Sequence, residues 1–387
     1  MREDRPVRNI VILGSTGSIG VQALEVVAAN PDKFRVVGLS AGSQNLSLLF
    51  QQAIQFGVTK VGTSADKSPD TPSGVEVITG ANASSEIASI PCDVVINGIT
   101  GSIGLAPTLA ALEAGNLVAL ANKESLVAGG SLVMKFGRDR IIPVDSEHSA
   151  LFQCMLAGSE KEISKLILTA SGGPFRDRAD LSGITVNEAL AHPTWAMGPV
   201  VTINSATLMN KALEIIEAHH LFAIPYSNIT AVIHPQSIVH SLVEFHDGST
   251  IAQASPPNMK GPIAYAMTYP ARLQGATKAL SWSSSQTWEF APIDTARFPI
   301  IGMVGEIGAT SCGTTIMNAA NEVAVSAFLQ GKLSFVSIIE LVSRGVDSMR
   351  DTASNQIRSF EDVSANEPDA RMRTSELMSK LISGIEG

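Results

Sequence analysis

The sequence predicts an α/β protein built from a parallel N-terminal sheet, a central α+β domain and a C-terminal helical bundle. Three observations predict it. Short β-branched runs alternate with helix-length stretches over residues 1–150, the pattern of right-handed βαβ units and a parallel sheet. From Lys165 onward the runs shorten, and polar and apolar residues roughly alternate around one long helical stretch. Past residue 300 the apolar spacing is helical.

Taken in order, Asn9, Ile10, Val11, Ile12 and Leu13 read as a buried strand ended by Gly14, with a helix over 19–29 and a second strand over 35–39. Residues 46–56 are helical by apolar spacing, 60–62 strand-like, 93–97 strand and 107–114 helix. Strands over 116–120 and 141–144 complete the first domain, 1–150. In the second, 151–270, the stretches 165–169, 229–233, 237–244 and 250–254 read as strands. A long loop over 172–198 and a single helix over about 205–220 lie between them. Residues 271–300 gather Trp282, Trp288, Phe290 and Phe298 with Pro292 and Pro299 but no sustained period, and are expected to form a surface linker. Helices over 314–328 and 336–349 mark the last domain, 301–387.

Composition narrows the function classes. Apolar residues are 45% and charged residues 16%, which supports a large core and excludes global disorder. The net charge of −9, with no basic run, argues against nucleic acid as a partner. The charged start, Met1, Arg2, Glu3, Asp4 and Arg5, leads into a strand and predicts no signal peptide. The uncharged stretch 94–112 holds Gly98, Gly101, Gly104 and Pro107, which a membrane span of about 20 apolar residues rarely tolerates. Cys92, Cys154 and Cys312 are scattered, so neither a disulfide scaffold nor a clustered zinc site is indicated. A cytoplasmic protein is expected, with no membrane and no nucleic-acid partner.

Four constellations carry chemistry. Gly14, Ser15, Thr16, Gly17, Ser18, Ile19 and Gly20 lie between the first strand and first helix, where glycines allow close backbone approach to a pyrophosphate favoured by the helix N-terminus. The bland reading is a turn that packs helix on strand. Its place at the first βα turn favours a Rossmann-type dinucleotide site. Strand two ends in Leu39, Ser40, Ala41, Gly42, Ser43, Gln44 and Asn45, without the carboxylate an unphosphorylated cofactor usually meets, and so leans towards NADP. Second, Asn122, Lys123, Glu124 and Ser125 follow a buried strand, at the end where parallel sheets bind ligands; a solvated helix cap is the alternative.

Third, Asp145, Ser146, Glu147 and His148 follow the strand over 141–144. If this segment is extended, residues two apart share a face and both carboxylates point at one hard cation, Mg²⁺ or Mn²⁺. Equally, they start a helix, with Asp145 or Ser146 as its cap. The fourth favours the cation. On the helix over 205–217, Asn210, Lys211 and Glu214 fall on one face and Leu208, Met209, Leu213 and Ile216 on the other, supplying a third acid with Lys211 left for an anion. Two loops add ligand-handling groups. The stretch 169–176, with Thr169, Ser171, Gly172 and Gly173, offers hydroxyls and free amides after a strand as an anion nest, and His192 to Gly198, with Trp195 and Met197, reads as a lid. A satellite core around Trp195 and Met197 is the competing reading.

These motifs, from GSTGSIG through ALANKESLV, PVDSEHSA, SGGPFR, HPTWAMG and SATLMNKALE to the late TTIMNAANE, together resemble the 1-deoxy-D-xylulose 5-phosphate reductoisomerase family over nearly the whole chain. The resemblance implies an NADPH- and divalent-metal-dependent homodimer that rearranges and reduces a sugar phosphate. It implies that Thr16, Gly17, Ser18 and Ile19 hold the cofactor pyrophosphate, Gly42, Ser43 and Gln44 its adenosine phosphate, and Asn122, Glu124 and the Gly198 backbone the rest. Asp145, Glu147 and Glu214 would ligate the metal. Lys123, Ser146 and Glu147 would touch the substrate's hydroxyl and carbonyl end, with Glu214 beside it. Ser171, Ser205, Asn210 and Lys211 would take its phosphate, while His192 and Trp195 close over it. The catalytic set so implied is Lys123, Glu147, His192 and Trp195. One departure is visible: Ser43 and Gln44 stand, with one extra residue, where the family often has a basic residue.

Two other classes compete. A semialdehyde-type dehydrogenase needs a nucleophilic cysteine, and Cys154 and Cys312 are not expected to have a histidine or an anion pocket beside them; it would need no metal. A dinucleotide-sensing protein would bind the cofactor without turnover.

Overall fold

The computed structural model describes residues 6–67, 71–195 and 197–383; the charged start at 1–5 and Ala196 of the lid stretch lie outside them. The chain divides into two compact units, one of residues 1–125, 133–149 and 258–279, the other of residues 126–132, 150–257 and 280–387.

The first unit is a seven-stranded sheet in the order β4-β3-β2-β1-β5-β6-β7, parallel throughout. It is built from β1 (Arg8–Leu13), α1 (Ser18–Ala28), β2 (Phe34–Ala41), α2 (Leu46–Phe56), β3 (Lys60–Thr63), β4 (Glu76–Thr79) and α3 (Ala83–Ala88). Then come β5 (Val94–Asn97), α4 (Leu105–Glu113), β6 (Leu117–Leu120) and β7 (Ile141–Pro143); α5 (Lys123–Val133), whose residues 126–132 belong to the second unit, precedes β7, and α6 (Ser146–Cys154) follows it. Ile10 through Leu13 are fully buried, as expected of a central parallel strand covered on both faces. The order reverses between β1 and β5, which makes that crevice the topological switch point.

The second unit is a mixed five-stranded sheet, β11-β10-β8-β9-β12, with helices. It comprises β8 (Ile163–Ala170), α7 (Val186–Leu190), α8 (Pro199–Ala206), α9 (Met209–Phe222), β9 (Ile229–Ile233), β10 (Val239–Phe245) and β11 (Thr250–Ala254). After α10 (Lys260–Thr268) follow β12 (Ala291–Pro292), α11 (Ile300–Gly308), α12 (Gly313–Leu329), α13 (Ser337–Asp347), α14 (Arg350–Ala353) and α15 (Phe360–Ser383). Among the described residues no helix is long and apolar enough to cross a membrane.

The units cut across the boundaries drawn from sequence. Residues 258–279, including α10, belong to the first unit, where Lys260 pairs with Glu25 of α1 at 2.7 Å and Arg8 donates to the Met267 carbonyl at 2.6 Å. The linker stretch contains β12, which pairs with β9. The C-terminal helices group with the mixed sheet as one unit.

Candidate active site

The glycine turn is tightly wound. Gly14 sits at φ +73°, where a Cβ would approach the Gly98 carbonyl oxygen to 2.8 Å, and a Cβ on Gly20 would lie 2.4 Å from the Gly14 oxygen. Gly17 N–H closes the turn on Gly14 O at 3.0 Å, and α1 starts at Ser18 with Gly17 as a cap that offers no side chain. The first amides of such a helix lack intrahelical acceptors, so this end suits a phosphate. Thr16 and Ile19 are half-buried beside it, while Gly17 and Ser18 are exposed. Gln52, buried on α2, donates to Ser15 O at 3.0 Å and braces the turn from behind. Gly42, Ser43 and Gln44 lie exposed after β2, the last two in a 3₁₀ turn.

Beyond β6, Asn122 is only 1% exposed. Its amide nitrogen reaches Ile99 O and Gly101 O at 2.9 Å each and Glu124 Oε2 at 2.7 Å, while its oxygen accepts the Ser125 N–H. The Asn122 side chain is therefore a strut between two loops at the cofactor end of the sheet. Behind it Ser125, Thr108 and Asn97 form a buried chain: Thr108 Oγ1 is 2.9 Å from Ser125 Oγ and accepts from Asn97 Nδ2 at 2.8 Å.

Asp145 does not lie in an extended segment. It precedes α6, and its Oδ1 accepts the Glu147 N–H at 3.1 Å, so the helix-cap alternative is the one observed. The physical reason is the four unpartnered amides at a helix start, which a short carboxylate satisfies at once. The Lys123 ammonium, at the start of α5, donates to Asp145 Oδ2, and His148 Nδ1 lies 3.2 Å from Oδ1. Burial opposes charge on Asp145, but the Lys123 ammonium and His148 outweigh it and hold the carboxyl well below the usual carboxylate range. Ser146 Oγ donates to Glu147 Oε2 at 2.8 Å.

In the second unit, Ser171, His192 and Ser205 form one cluster, with His192 Nε2 3.1 Å from each hydroxyl oxygen. His192 Nδ1 accepts from Thr194 N–H at 3.1 Å and Trp195 N–H at 2.9 Å. Gly172 and Gly173 both adopt positive φ, which glycine takes without strain, and Gly173 N–H points to Ser171 Oγ at 3.3 Å. Trp195 is half-buried against the His240 ring, centroids 6.4 Å apart. Gly198 caps α8, and its carbonyl accepts from Thr202.

The single helix over 205–220 is two. Thr207 and Leu208 break it, with Leu208 at φ +58°, so Ser205 ends α8 while Asn210, Lys211 and Glu214 ride on α9. Those three do meet: Asn210 Nδ2 and the Lys211 ammonium each donate to the Glu214 carboxylate. Lys211 is 4% exposed and Glu214 1%, so the two form a buried ion pair, and α9 is buried along most of its length, Glu217 included. The loop over 172–198 is also less open than its length implies. It holds α7, capped by Thr185 and Glu188, and Arg178 ties it internally to the Asp180 and Ser182 carbonyls and to Glu188.

A hard cation fits the donor chemistry. Asp145 and Glu214 are carboxylate oxygen donors, each paired with an ammonium, the compensation that a divalent cation supplies. The supporting residues Gln52, Asn97 and Thr108 escaped sequence reading, because a buried amide or hydroxyl has no motif of its own.

A glycine turn at the switch point of a doubly wound sheet, joined to a unit with its own polar cluster, defines a two-part dinucleotide-dependent enzyme. A model of 1-deoxy-D-xylulose 5-phosphate reductoisomerase matches residues 10–130, and two models of the C-terminal domains of that enzyme match 141–222 and 254–373. The chain belongs to this family. The 1-deoxy-D-xylulose 5-phosphate reductoisomerase of Beutenbergia cavernae is 52% identical over 384 residues, spanning 96% of this chain and 97% of its own. That of Streptomyces avermitilis is 50% identical, spanning 95% and 97%. Among solved structures, a DOX-P reductoisomerase in complex with NADPH, fosmidomycin and magnesium superposes with a TM-score of 0.89 at 34% identity, covering 97% of this chain and 99% of its own. The Zymomonas mobilis enzyme in complex with NADPH gives 0.87 at 36%, covering 96% and 99%.

Proposed function

We propose that this chain converts 1-deoxy-D-xylulose 5-phosphate to 2-C-methyl-D-erythritol 4-phosphate with NADPH and Mg²⁺ or Mn²⁺, as a cytoplasmic homodimer in isoprenoid precursor synthesis. The observation that carries this reading is the 52% identity to a reductoisomerase over nearly the full length of both chains. When bound, the cation would supply Lewis-acid polarisation at a carbonyl and the nicotinamide would supply hydride.

The residues take the following roles. Thr16, Gly17, Ser18 and Ile19 hold the pyrophosphate at the start of α1. Gly42, Ser43 and Gln44 receive the adenosine phosphate through backbone and hydroxyl or amide donors. Asn122 fixes the loop, with Glu124 and the Gly198 backbone completing the cofactor site. Asp145, Glu147 and Glu214 ligate the cation. Lys123, Ser146 and Glu147 orient the reacting oxygens. Ser171, Ser205, Asn210 and Lys211 serve the phosphate, with Lys211 acting from within its pair with Glu214, and His192 and Trp195 close over it and exclude water.

The test is NADPH absorbance at 340 nm (about the nicotinamide maximum) on adding 1-deoxy-D-xylulose 5-phosphate with either cation. Oxidation that needs all three components supports the reading; none with either cation refutes it. Light scattering on eluted protein checks the dimer.

A further inference from the structure

We propose that Arg297 is a positioning residue for substrate binding, holding from outside the loop that carries Ser171. The proposal rests on Ser171 and His192 serving the substrate's phosphate.

Arg297 lies between β12 and α11, far in sequence from the loop it touches. Its Nη1 donates to the Arg178 carbonyl and its Nη2 to the Arg176 carbonyl, both at 2.7 Å. The planar fork of a guanidinium matches two such acceptors at once. The guanidinium is itself aimed: Asp294 Oδ2 lies 3.2 Å from Nε, while Asp294 Oδ1 accepts the Arg297 N–H at 3.1 Å. On the loop side, Arg178 N–H bonds to Phe175 O at 3.1 Å, closing a turn whose carbonyls face Arg297. Arg176 then reaches back from that turn, its Nη1 3.4 Å from Ser171 O, and its charge is felt at His192. Arg297 thus fixes the turn that places Arg176, and Arg176 sits over the Ser171, Gly172, Gly173 stretch. Fixing a carbonyl orients the whole peptide plane, so loss of the fork frees this turn without removing any group that touches the ligand.

A lysine at 297 keeps the charge but cannot span both carbonyls. Arg297→Lys is expected to raise the Michaelis constant for 1-deoxy-D-xylulose 5-phosphate about tenfold, with the turnover number and the Michaelis constant for NADPH within about twofold. Inhibition by inorganic phosphate should weaken in parallel. Arg297→Ala leaves a gap beside a cavity of about 470 Å³ that Arg297 lines with Phe298 and Phe335, so added guanidinium at millimolar concentration should restore substrate affinity saturably. A purely structural role would instead lower the turnover number, leave the Michaelis constant alone and show no rescue.

Ser171→Ala in the full-length enzyme separates the two readings. If it raises the Michaelis constant while Arg297→Lys does not, the inference about Arg297 is overturned and the phosphate site stands. If neither variant moves it, both fall. Should Arg297→Ala fail to fold, Arg297→Lys alone decides.

Discussion

Ser171 Oγ and His192 Nε2 stand 3.1 Å apart, and the tautomer of that histidine is fixed by its other nitrogen. Because His192 Nδ1 accepts two backbone N–H groups, from Thr194 and Trp195, the neutral ring carries its proton on Nε2, facing Ser171 and Ser205. The segment that bears Trp195 is thereby hung on one lone pair.

That arrangement sets a pH dependence. Burial first, and the Arg176 charge second, lower the His192 pKa from its ordinary 6.5. The ring is therefore neutral at pH 7 and gains a proton only as the pH falls through a value below 6.5. A protonated Nδ1 cannot accept, so the Thr194 and Trp195 bonds are lost on the acid side and retained above it. The ratio of wild-type to His192→Gln kcat/KM for substrate should fall as pH drops below 6.5 and stay level above it, substrate ionisation cancelling in the ratio. A level ratio throughout would show that the histidine does not titrate with function.

The buried chain of Asn97, Thr108, Ser125 and Asn122 predicts a linked loss of stability and cofactor binding. Thr108→Val keeps the shape but removes one acceptor of the Asn97 amide, which also reaches Gly104 O, and one partner of Ser125, which also reaches the Asn122 oxygen. Leaving these fully buried groups short of partners should cost about 1–3 kcal/mol in chemical denaturation. The Michaelis constant for NADPH should rise several-fold as Asn122 loosens, while that for substrate stays put. Unchanged NADPH kinetics in a destabilised variant would confine the chain to a packing role.

Gly20→Ala tests the turn itself. The new Cβ would lie 2.4 Å from both the Gly14 oxygen and the Ser15 Cα, closer than real Cβ atoms approach backbone, so the turn has to open. Overpacking of this kind costs about 1–3 kcal/mol, and the NADPH Michaelis constant should rise at least tenfold (roughly the same energy expressed as binding). Wild-type NADPH affinity in a folded Gly20→Ala protein would remove the pyrophosphate from this turn.

Much of this was legible in the sequence where period and chemistry agree. The β1 run has no polar residue from Ile10 to Leu13, and the glycines that follow mark a tight turn that few other residues could make. What escaped was decided by tertiary context. β4 (Glu76–Thr79) is a four-residue edge strand, too short and too exposed to show a period. The break at Thr207 and Leu208 carries neither glycine nor proline, so nothing local announces a left-handed residue. Around Asp145, the end of a strand and the start of a helix offer the same few side chains, and only the backbone decides between an extended pair and a cap. The burial of Lys211 was not legible either, because amphipathic spacing identifies one apolar face but cannot reveal that the polar face is also covered.

The proposed cation ligands give the last prediction, and Lys211 complicates it. Glu214→Gln keeps the side-chain shape but removes the charge facing a lysine that is 4% exposed. Breaking a buried pair in this way typically costs about 3–5 kcal/mol, so lost activity alone would not identify a ligand. Replacing the pair together, as Lys211→Met with Glu214→Leu, should recover most of that stability because no uncompensated charge is left. If Glu214 holds the cation, thermal stability returns in the double variant while turnover stays about a thousandfold down and well below that of Lys211→Met alone, which loses only the phosphate partner. Asp145→Asn should match the double variant in turnover. NADPH affinity, measured by fluorescence, should stay near wild type in all of these, since none alters the glycine turn. A stable double variant that turned over at the wild-type rate and kept its dependence on Mg²⁺ or Mn²⁺ would exclude Glu214 from the ligand set.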